Sequence, residues 1–284
     1  MKEQWLKNKF EYAVIGDPVA HSLSPEMQNA GFSELGLGAP YGKYHVKVDE
    51  IAEFVKFARE NLCGFNITVP HKKNIIPFLD NISRPAQLAQ SVNTVTVRDG
   101  KLFGDSTDGF GLATALNEAF KTNVDGGKFL FIGCGGAVQA VAFYFASIGA
   151  AQLCFVNRTV EKAEALARGI AANYGSTTKY CAPNDKKQLQ AFIDSSTVLI
   201  QGTSLGLKAD DPLPLDVALL NSNIAIYDTI YKPTPLLRYA AEHGINYADG
   251  RTMLLHQGAK SFEIWTGHQA PVEQMRYALE KAMN

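Results

Sequence analysis

Short apolar runs alternate along the chain with stretches of helix-forming residues, and this alternation is the strongest constraint on the fold. Several runs have the length and the β-branched or aromatic content of strands: YAVIG, KYHVKV, GFNITV, VNTVTV, KFLFIG, QLCFVN, TVLIQG and NIAIYD. The segments between them, such as residues 25–37 and 160–174, contain helix formers. Because the runs are apolar on both faces, they favour parallel strands covered by helices. The sequence therefore predicts an α/β fold.

The strands fall into two series. The first four precede a Gly- and Asp-rich crossing, FGDSTDGFG, and a second series begins at Lys128. With 284 residues the chain is long enough for two medium domains. We therefore expect two α/β domains with a hinge near Asp108.

Charge and hydropathy restrict the classes of partner. The net charge is −1 and no basic run is present, so a nucleic-acid surface or a polybasic membrane patch is not expected. The first residues, MKEQWLKNKFEY, lack the apolar core of a signal peptide, which predicts a cytoplasmic protein. The apolar stretch 137–151 is too short for a membrane span and predicts a buried helix. Small-molecule partners are therefore favoured.

The four cysteines show no metal or disulfide pattern. Cys63, Cys134, Cys154 and Cys181 form no CxxC pair and have no histidine at metal-ligand spacing. We expect reduced thiols packed as small apolar side chains, and no metal site.

The second series opens with KFLFIGCGGAVQAVAF, in which a strand leads through glycines into a helix. Gly133 and Gly135 fit the first two positions of G-x-G-x-x-G, where a tight turn brings the backbone to a pyrophosphate at a helix N-terminus. The third position is Val138, which departs from the pattern. Since glycine-rich turns also occur without ligands, this turn alone leaves nucleotide binding open.

The next strand ends in CFVNRT, where an NAD enzyme would place an acidic residue. Here the positions are Asn157, Arg158 and Thr159, and a guanidinium beside a hydroxyl suits a 2′-phosphate. These residues predict NADP rather than NAD. The alternative is a surface arginine next to a helix that Thr159 caps.

Two polar stretches of the first domain are also candidates for chemistry. In AHSLSPEM the residue before Pro25 is Ser24, which predicts an N-cap, but a helix start with hydroxyls at Ser22 and Ser24 equally suits a carboxylate. In NITVPHKKN two lysines follow a strand and Pro70. They are either solvated charges, or one of them projects from the carboxyl end of the sheet, where α/β proteins hold ligands.

Together these segments resemble one known family. VIGDPVAHSLSP, NITVPHKK, VNT, STDGFG, GCGGA, NRT, TSLG and GRTMLLHQGAKSFEIWTG occur in the order and at nearly the spacings of the shikimate dehydrogenase family. The resemblance covers the chain from Tyr12 onward and implies an NADP-dependent oxidoreductase that interconverts 3-dehydroshikimate and shikimate. It implies a substrate-binding catalytic domain of residues 1–107 and 254–284, a Rossmann domain of residues 108–253, and substrate in the cleft between them. The oligomeric state stays open between monomer and homodimer.

The resemblance also assigns site residues by position. Lys72 matches the catalytic lysine of the family and Asp108 its catalytic partner, whereas Lys73 matches no functional position. The hydroxyls of Ser22 and Ser24 would bind the substrate carboxylate. The other substrate-binding positions are Thr68, Asn93, Tyr231 and Gln257. The cofactor-binding positions are Gly133, Gly135, Gly136, Ala137, Asn157, Arg158, Thr159 and Met253.

Some positions depart from the family. Gln28 stands where histidine is frequent, and Ser106 stands where asparagine is frequent. Gln201 and Gly202 replace the usual Asn-Ala, Gln90 and Ser91 replace Gly-Ala, and the loop after Tyr231 is shorter than usual. Two alternatives therefore stay open. One is a quinate or dual quinate/shikimate dehydrogenase, and the other is a metabolite-sensing relative without turnover, which the presence of both Lys72 and Asp108 disfavours.

Overall fold

The computed structural model describes residues 3–208 and 210–283, and these form two compact units. One unit runs to Gly111 and resumes at Leu255, and the other is Leu112–Leu254. Each unit contains a six-stranded sheet with helices, so the predicted α/β fold with two domains of this class is confirmed.

The strands of the first unit are β1 Tyr12–Gly16, β2 Tyr41–His45, β3 Gly64–Ile67, β4 Asn81–Ile82, β5 Thr94–Arg98 and β6 Lys101–Asp105. Those of the second unit are β7 Lys128–Ile132, β8 Gln152–Val156, β9 Thr177–Cys181, β10 Val198–Gln201, β11 Ala225–Asp228 and β12 Tyr247–Ala248.

The helices, in chain order, are α1 Glu3–Leu6, α2 Ser24–Glu34, α3 Ile51–Asn61, α4 His71–Asn74, α5 Arg84–Ala89, α6 Asp108–Phe120, α7 Gly136–Ser147, α8 Val160–Ala171, α9 Lys186–Ser195, α10 Pro235–Glu242, α11 Arg251–Thr266 and α12 Val272–Met283. Short 3₁₀ turns lie at Val48–Glu50, Ile76–Phe78 and Val217–Leu219. The predicted buried helix in residues 137–151 is confirmed by α7, most of whose side chains are buried.

The sheet of the first unit has the order β2-β1-β3-β5-β6-β4 and is mixed rather than fully parallel. Strand β5 pairs antiparallel with both β3 and β6. The pairing with β6 follows from the tight turn between the two strands, where Asp99 and Gly100 both have positive φ angles, of 51° and 69°. An Asp-Gly turn of this kind joins antiparallel neighbours. The parallel pairing that the apolar runs predict is therefore limited in this sheet to β1 with β2, β1 with β3, and β4 with β6.

The sheet of the second unit has the order β12-β11-β10-β7-β8-β9 and is parallel throughout. Its central strands end in register, since Ile132 of β7 lies opposite Val156 of β8 and Gln201 of β10. All residues of β8 and β10 are buried. By contrast, the edge strand β9 is mostly exposed and polar, which is why a search for apolar runs missed it.

Each unit has its own apolar core. In the first, an aromatic group surrounds Phe54, with Trp5 and Phe65 packed edge-on at ring-centroid distances of 5.4 Å. In the second, Leu130, Leu199 and Ile226 of neighbouring strands are fully buried between the helices. These cores fix the strand ends, from which the polar residues described below project.

The start of α7 packs closely on the chain after β10. A Cβ atom added to Gly202 would lie 2.2 Å from Cγ2 of Val138. Val138 is the residue at the third position of the glycine pattern, and Gly202 is a departure from the family. The two unusual residues therefore compensate for each other, because valine at one position leaves room only for glycine at the other.

We expect Gly202→Ala to lower the free energy of unfolding by about 1–3 kcal/mol, because the added methyl overlaps Val138. The double variant V138A/G202A should recover part of that loss. Gly175→Ala is the matched control, since a Cβ there would meet no atom within 4 Å. Urea unfolding of the variants measures this, and an equal effect of G202A in the wild-type and V138A backgrounds would disprove the compensation.

Asp228 organises the loop after β11. Its buried carboxylate accepts hydrogen bonds from the Ile230 N–H at 3.0 Å and from the Thr234 hydroxyl at 2.8 Å. Thr234 also caps α10 by accepting the Leu237 N–H. One carboxyl group thus holds both ends of the loop that contains Tyr231. Burial raises the pKa of Asp228 from 3.8 to about 6.

This shift predicts a pH-dependent contribution to stability. Between pH 3.8 and about 6 the folded chain keeps a proton on Asp228 that the unfolded chain has released. The stabilisation that Asp228 contributes, ~3 kcal/mol of unfolding free energy, is therefore complete below the pKa of the unfolded chain. It is lost as the pH rises through the pKa of the folded chain. Asp228→Asn does not titrate, so the stability of the wild type relative to this variant should fall across the window. Urea unfolding of both proteins at several pH values measures this, and a constant difference would contradict it.

Candidate active site

Lys72 and Asp108 meet in the first unit. Lys72 lies in the short helix α4, directly after Pro70, and Asp108 is the first residue of α6. The Lys72 Nζ donates to Asp108 Oδ2 at 2.5 Å, and the two side chains are 19% and 6% exposed. Lys73, on the next position of α4, is exposed and has no ion-pair partner within the described ranges. The fold therefore pairs Lys72 with a buried carboxylate and leaves Lys73 in solvent.

Asn93 holds the other oxygen of Asp108. Its Nδ2 donates to Asp108 Oδ1 at 2.8 Å and to the Gln257 Oε1 at 3.2 Å. Its Oδ1 accepts the Thr107 N–H at 2.8 Å and the Thr94 hydroxyl at 2.9 Å. Because Asn93 holds Oδ1 of Asp108, the other carboxylate oxygen, Oδ2, faces Lys72. The structure thus brings together four of the residues assigned by resemblance, Lys72, Asp108, Asn93 and Gln257.

The two serines lie side by side at the start of α2. The Ser22 hydroxyl donates to Ser24 Oγ at 3.2 Å, and the Ser24 N–H donates to Ser22 Oγ at 3.3 Å. The expectation that Ser24 is the N-cap is wrong. Leu23 holds the cap position without a side-chain hydrogen bond, and Ser24 is the first helical residue. Because Ser22 instead reaches the Ser24 N–H, neither hydroxyl is consumed by conventional capping.

Thr68 and Tyr231 are placed by different units. Thr68 is half-buried directly after β3, and its N–H donates to the Ile15 carbonyl of β1 at 2.9 Å. It therefore sits at the same carboxyl edge as the strand that leads to Ser22. Tyr231 belongs to the second unit, in the loop that Asp228 holds, and is 45% exposed. Its assignment to substrate stays a prediction.

The glycine turn of the second unit is open to an anion. Gly133 has a φ of +99°, and a Cβ there would lie 2.8 Å from Thr203 Cγ2. Gly135 precedes α7 as an N-cap without any side-chain hydrogen bond, and a Cβ there would meet nothing within 4 Å. The first N–H groups of a helix lack partners inside the helix. Gly135, Gly136 and Ala137 therefore present N–H donors to the space above the sheet, which fits a pyrophosphate.

The segment after β8 supplies positive charge beside this turn. Gly133 donates its N–H to the Val156 carbonyl at 2.7 Å, so the turn adjoins Asn157. Asn157 Nδ2 donates to the Thr159 carbonyl at 2.8 Å, and Thr159 precedes α8 without capping it through its side chain. Arg158 is exposed and has no carboxylate partner within the described part of the chain. The guanidinium and the Thr159 hydroxyl are thus available to a phosphate.

Met253 lies in the first turn of α11, where its N–H donates to the Tyr227 hydroxyl at 3.1 Å. Tyr227 is completely buried on β11 and also contacts the Thr252 hydroxyl at 3.0 Å. The start of α11 is therefore fixed from inside the second unit.

Several further polar residues of the first unit hydrogen-bond to Asn93 or to one another around it, and sequence patterns did not single them out. They are Tyr41, Asn66, Thr94, Thr107 and Ser261. They come from strands, a loop and a helix far apart in the chain, so no local spacing connects them. The only available signal was the presence of polar residues within otherwise apolar strands.

The cysteines are free. Cys134, Cys154 and Cys181 are buried, and burial raises the pKa of each thiol, whereas Cys63 is exposed and so departs from the expected packing. Within residues 3–208 and 210–283, no group of His, Cys, Asp and Glu side chains could hold a metal ion. In the same ranges no helix combines the length and hydropathy needed to cross a membrane.

Family models match most of the chain. Residues 14–95 match the shikimate dehydrogenase substrate binding domain, 115–205 match shikimate / quinate 5-dehydrogenase, and 250–280 match the shikimate 5′-dehydrogenase C-terminal domain. The shikimate dehydrogenase (NADP(+)) of Magnetococcus marinus is 39% identical over 273 residues, which cover 95% of each chain.

Solved structures agree with these matches. Shikimate 5-dehydrogenase from Listeria monocytogenes in complex with shikimate and NAD is 35% identical, with a TM-score of 0.88 and coverage of 94% of this chain and 96% of that one. The enzyme from Thermus thermophilus in complex with NADP(H) and shikimate is 32% identical, with a TM-score of 0.85 and coverage of 96% and 99%. This chain belongs to the shikimate dehydrogenase family.

Proposed function

We propose that this chain is a shikimate dehydrogenase, which reversibly reduces 3-dehydroshikimate to shikimate with NADPH in the biosynthesis of aromatic amino acids. The observation that carries the proposal is the Lys72–Asp108 pair, held by Asn93, in a chain of this family. Residues 1–107 and 254–284 would bind substrate, and residues 108–253 would bind cofactor.

Bound NADPH would supply the hydride, which leaves developing negative charge on the carbonyl oxygen of the substrate. The Lys72 ammonium has the donors and the reach to stabilise that oxygen and to protonate it. In the reverse direction the neutral amine of Lys72 takes the proton of the hydroxyl and becomes the ammonium again. Asp108 orients Lys72 through its Oδ2 and stays in place because Asn93 holds its Oδ1.

Substrate recognition would use the polar groups of the same unit. A carboxylate can accept hydrogen bonds from the hydroxyls of Ser22 and Ser24, which lie next to each other at a helix start. The ring hydroxyls would contact Thr68, Asn93 and Gln257, together with Tyr231 from the loop after β11. Hydrogen-bonding side chains of this number distinguish a polyhydroxylated ring from an apolar one.

The cofactor proposal rests on charge. The N–H groups at Gly135, Gly136 and Ala137 suit the pyrophosphate, and Arg158 with Asn157 and Thr159 suits a 2′-phosphate. Met253 would lie near the nicotinamide. Arg158 carries the preference for NADP over NAD, because no acidic residue occurs among positions 157–159 to bind a free ribose hydroxyl.

Of the two alternatives, a dual quinate/shikimate dehydrogenase shares all of these residues and differs in the contacts to the ring hydroxyls. A metabolite sensor without turnover would have no chemical need for Lys72 and Asp108, which form an oriented pair with a buried carboxylate. Shikimate dehydrogenase is therefore preferred. We further propose a cytoplasmic monomer or homodimer whose partners are small molecules rather than nucleic acid or membrane, in keeping with the net charge of −1.

The proposed function predicts that the protein with shikimate and NADP forms reduced cofactor, which absorbance records directly. Lys72→Ala should lower kcat by roughly 10² to 10⁴ with a smaller effect on KM, because the proton donor is lost. Lys73→Ala, the matched control on the same helix turn, should be close to unchanged. Turnover of quinate but not shikimate would favour the alternative enzyme. Normal kcat in K72A, or equal loss in K73A, would contradict the assigned role.

The cofactor assignment predicts that Arg158→Ala weakens NADP binding about ten- to a hundredfold, because a charge-assisted hydrogen bond to the 2′-phosphate is lost. Affinity for NAD should change little. The control is Arg168→Ala in the last turn of α8, where the arginine pairs with Glu164. Titration of each variant with NADP and with NAD measures both affinities. Equal affinity of the wild type for the two cofactors would refute the role of Arg158.

A further inference from the structure

The short helix α4, which carries Lys72, begins with a completely buried histidine, His71. The Nε2 atom of its ring lies 2.6 Å from the backbone carbonyl oxygen of Val46. Because a carbonyl oxygen can only accept a hydrogen bond, Nε2 carries the ring proton and is the donor. This buried hydrogen bond is therefore formed at the residue directly before the amine that pairs with Asp108.

The acceptor of this hydrogen bond is fixed by the sheet of the first unit. Val46 follows directly after β2 and is fully buried in the apolar core. Its N–H donates to the carbonyl of Gly16, the last residue of β1, at 3.2 Å. The His71 ring therefore ties the first residue of α4 to the ends of two neighbouring strands, β1 and β2.

Helix α4 depends on such contacts for its place. It spans only four residues, and a helix of one turn is not stable in water by itself. The backbone of α4 is attached at Lys72, whose carbonyl accepts the Val92 N–H, two residues before β5, at 2.9 Å. The His71 side chain adds the attachment on the side of β2. Together the two bonds hold the helix between different strands of one sheet.

The second ring nitrogen of His71 shows why the first matters. Nδ1 is buried and has no hydrogen-bond partner among the residues that the structure describes. An unpaired polar atom in the interior destabilises a fold, and an apolar side chain would fill the same space without that cost. The hydrogen bond from Nε2 to Val46 is therefore what this ring supplies and an apolar side chain would not.

We propose that His71 is a positioning residue for catalysis, because its hydrogen bond to Val46 holds α4 at the place from which Lys72 reaches Asp108. This rests on the proposed function, in which Lys72 protonates the substrate oxygen. A proton donor works only within hydrogen-bond reach of the reacting atom, so a small shift of α4 slows the chemical step. The proposed carboxylate contacts of the substrate lie on another helix, α2, so KM depends less on His71.

The test compares two substitutions of similar length in the oxidation of shikimate. His71→Met removes the donor, and we expect kcat to fall roughly three- to thirtyfold with a smaller change in KM. His71→Gln keeps an N–H donor that can reach the Val46 carbonyl, so it should recover most of the lost kcat. His71→Phe is a second variant without a suitable donor, and it takes the place of His71→Met if the methionine variant does not fold.

A second arm repeats the substitution in the Lys72→Ala background. There His71→Met should leave the residual kcat nearly unchanged, because the group that His71 positions is already absent. Tyr44→Phe is the matched structural control, since it removes another buried hydrogen bond to a backbone carbonyl, that of Asn8 at 3.1 Å. It should lower the melting temperature without lowering kcat.

Unchanged kcat in a folded variant without the donor would overturn the proposal. Equal loss of kcat in H71M and H71Q would also overturn it, as would the same proportional loss with and without Lys72. A comparable loss of kcat in Y44F would show that any loosening of the core slows turnover, and would remove the special role of His71. An absence of shikimate turnover in the unaltered protein would instead overturn the proposed function, and this inference with it.

Discussion

The arrangement of the first unit depends on the hydrogen bonds of the Asn93 side chain. This side chain makes hydrogen bonds to the start of α6, to α11 and to Thr94 at the start of β5, so both of its polar atoms are satisfied. Because these groups are buried, a missing partner would cost about 1–3 kcal/mol. The same bonds determine which oxygen of Asp108 faces Lys72, so stability and the orientation of the Lys72–Asp108 pair have one cause.

The second unit depends instead on close approach of backbones. Gly133 and Gly202 lie at the ends of adjacent strands, where Thr203 and Val138 fill the space that side chains would need. Val138, at the position of the third glycine, packs closely against Gly202. The N–H groups at the start of α7 remain exposed. A turn of this kind needs no charged side chain for its shape, and the exposed Arg158 adds positive charge near it. Val138, which departs from the glycine pattern, and Gly202, which departs from the family, thus preserve the turn rather than remove it.

Buried polar groups carry a cost in both units. Asp228 is retained without exposure to solvent, and its raised pKa reflects the desolvation of its carboxylate. The structural consequence is a short loop fixed at both ends, with Tyr231 between them. In the first unit the consequence is the network of hydroxyls and amides that joins Tyr41, Asn66 and Thr94 to Asn93. Polar networks of this kind specify one arrangement only when every member is satisfied.

The sequence by itself determined the α/β class, the two series of strands, the glycine turn and the family, because local periodicity and motif spacing carry that information. It also singled out both Lys72 and Asp108, but only folding brings Lys72 Nζ to 2.5 Å from Asp108 Oδ2. Tertiary structure alone decided that Ser24 is helical rather than a cap, that β5 is antiparallel, and that Gly202 accommodates Val138. It also brought Tyr41, Asn66 and Ser261 into the hydrogen-bond network around Asn93, although no sequence pattern had indicated these residues. Those features depend on contacts between segments far apart in the chain, and the hydrogen-bond partners of a buried polar group cannot be read from its neighbours in sequence.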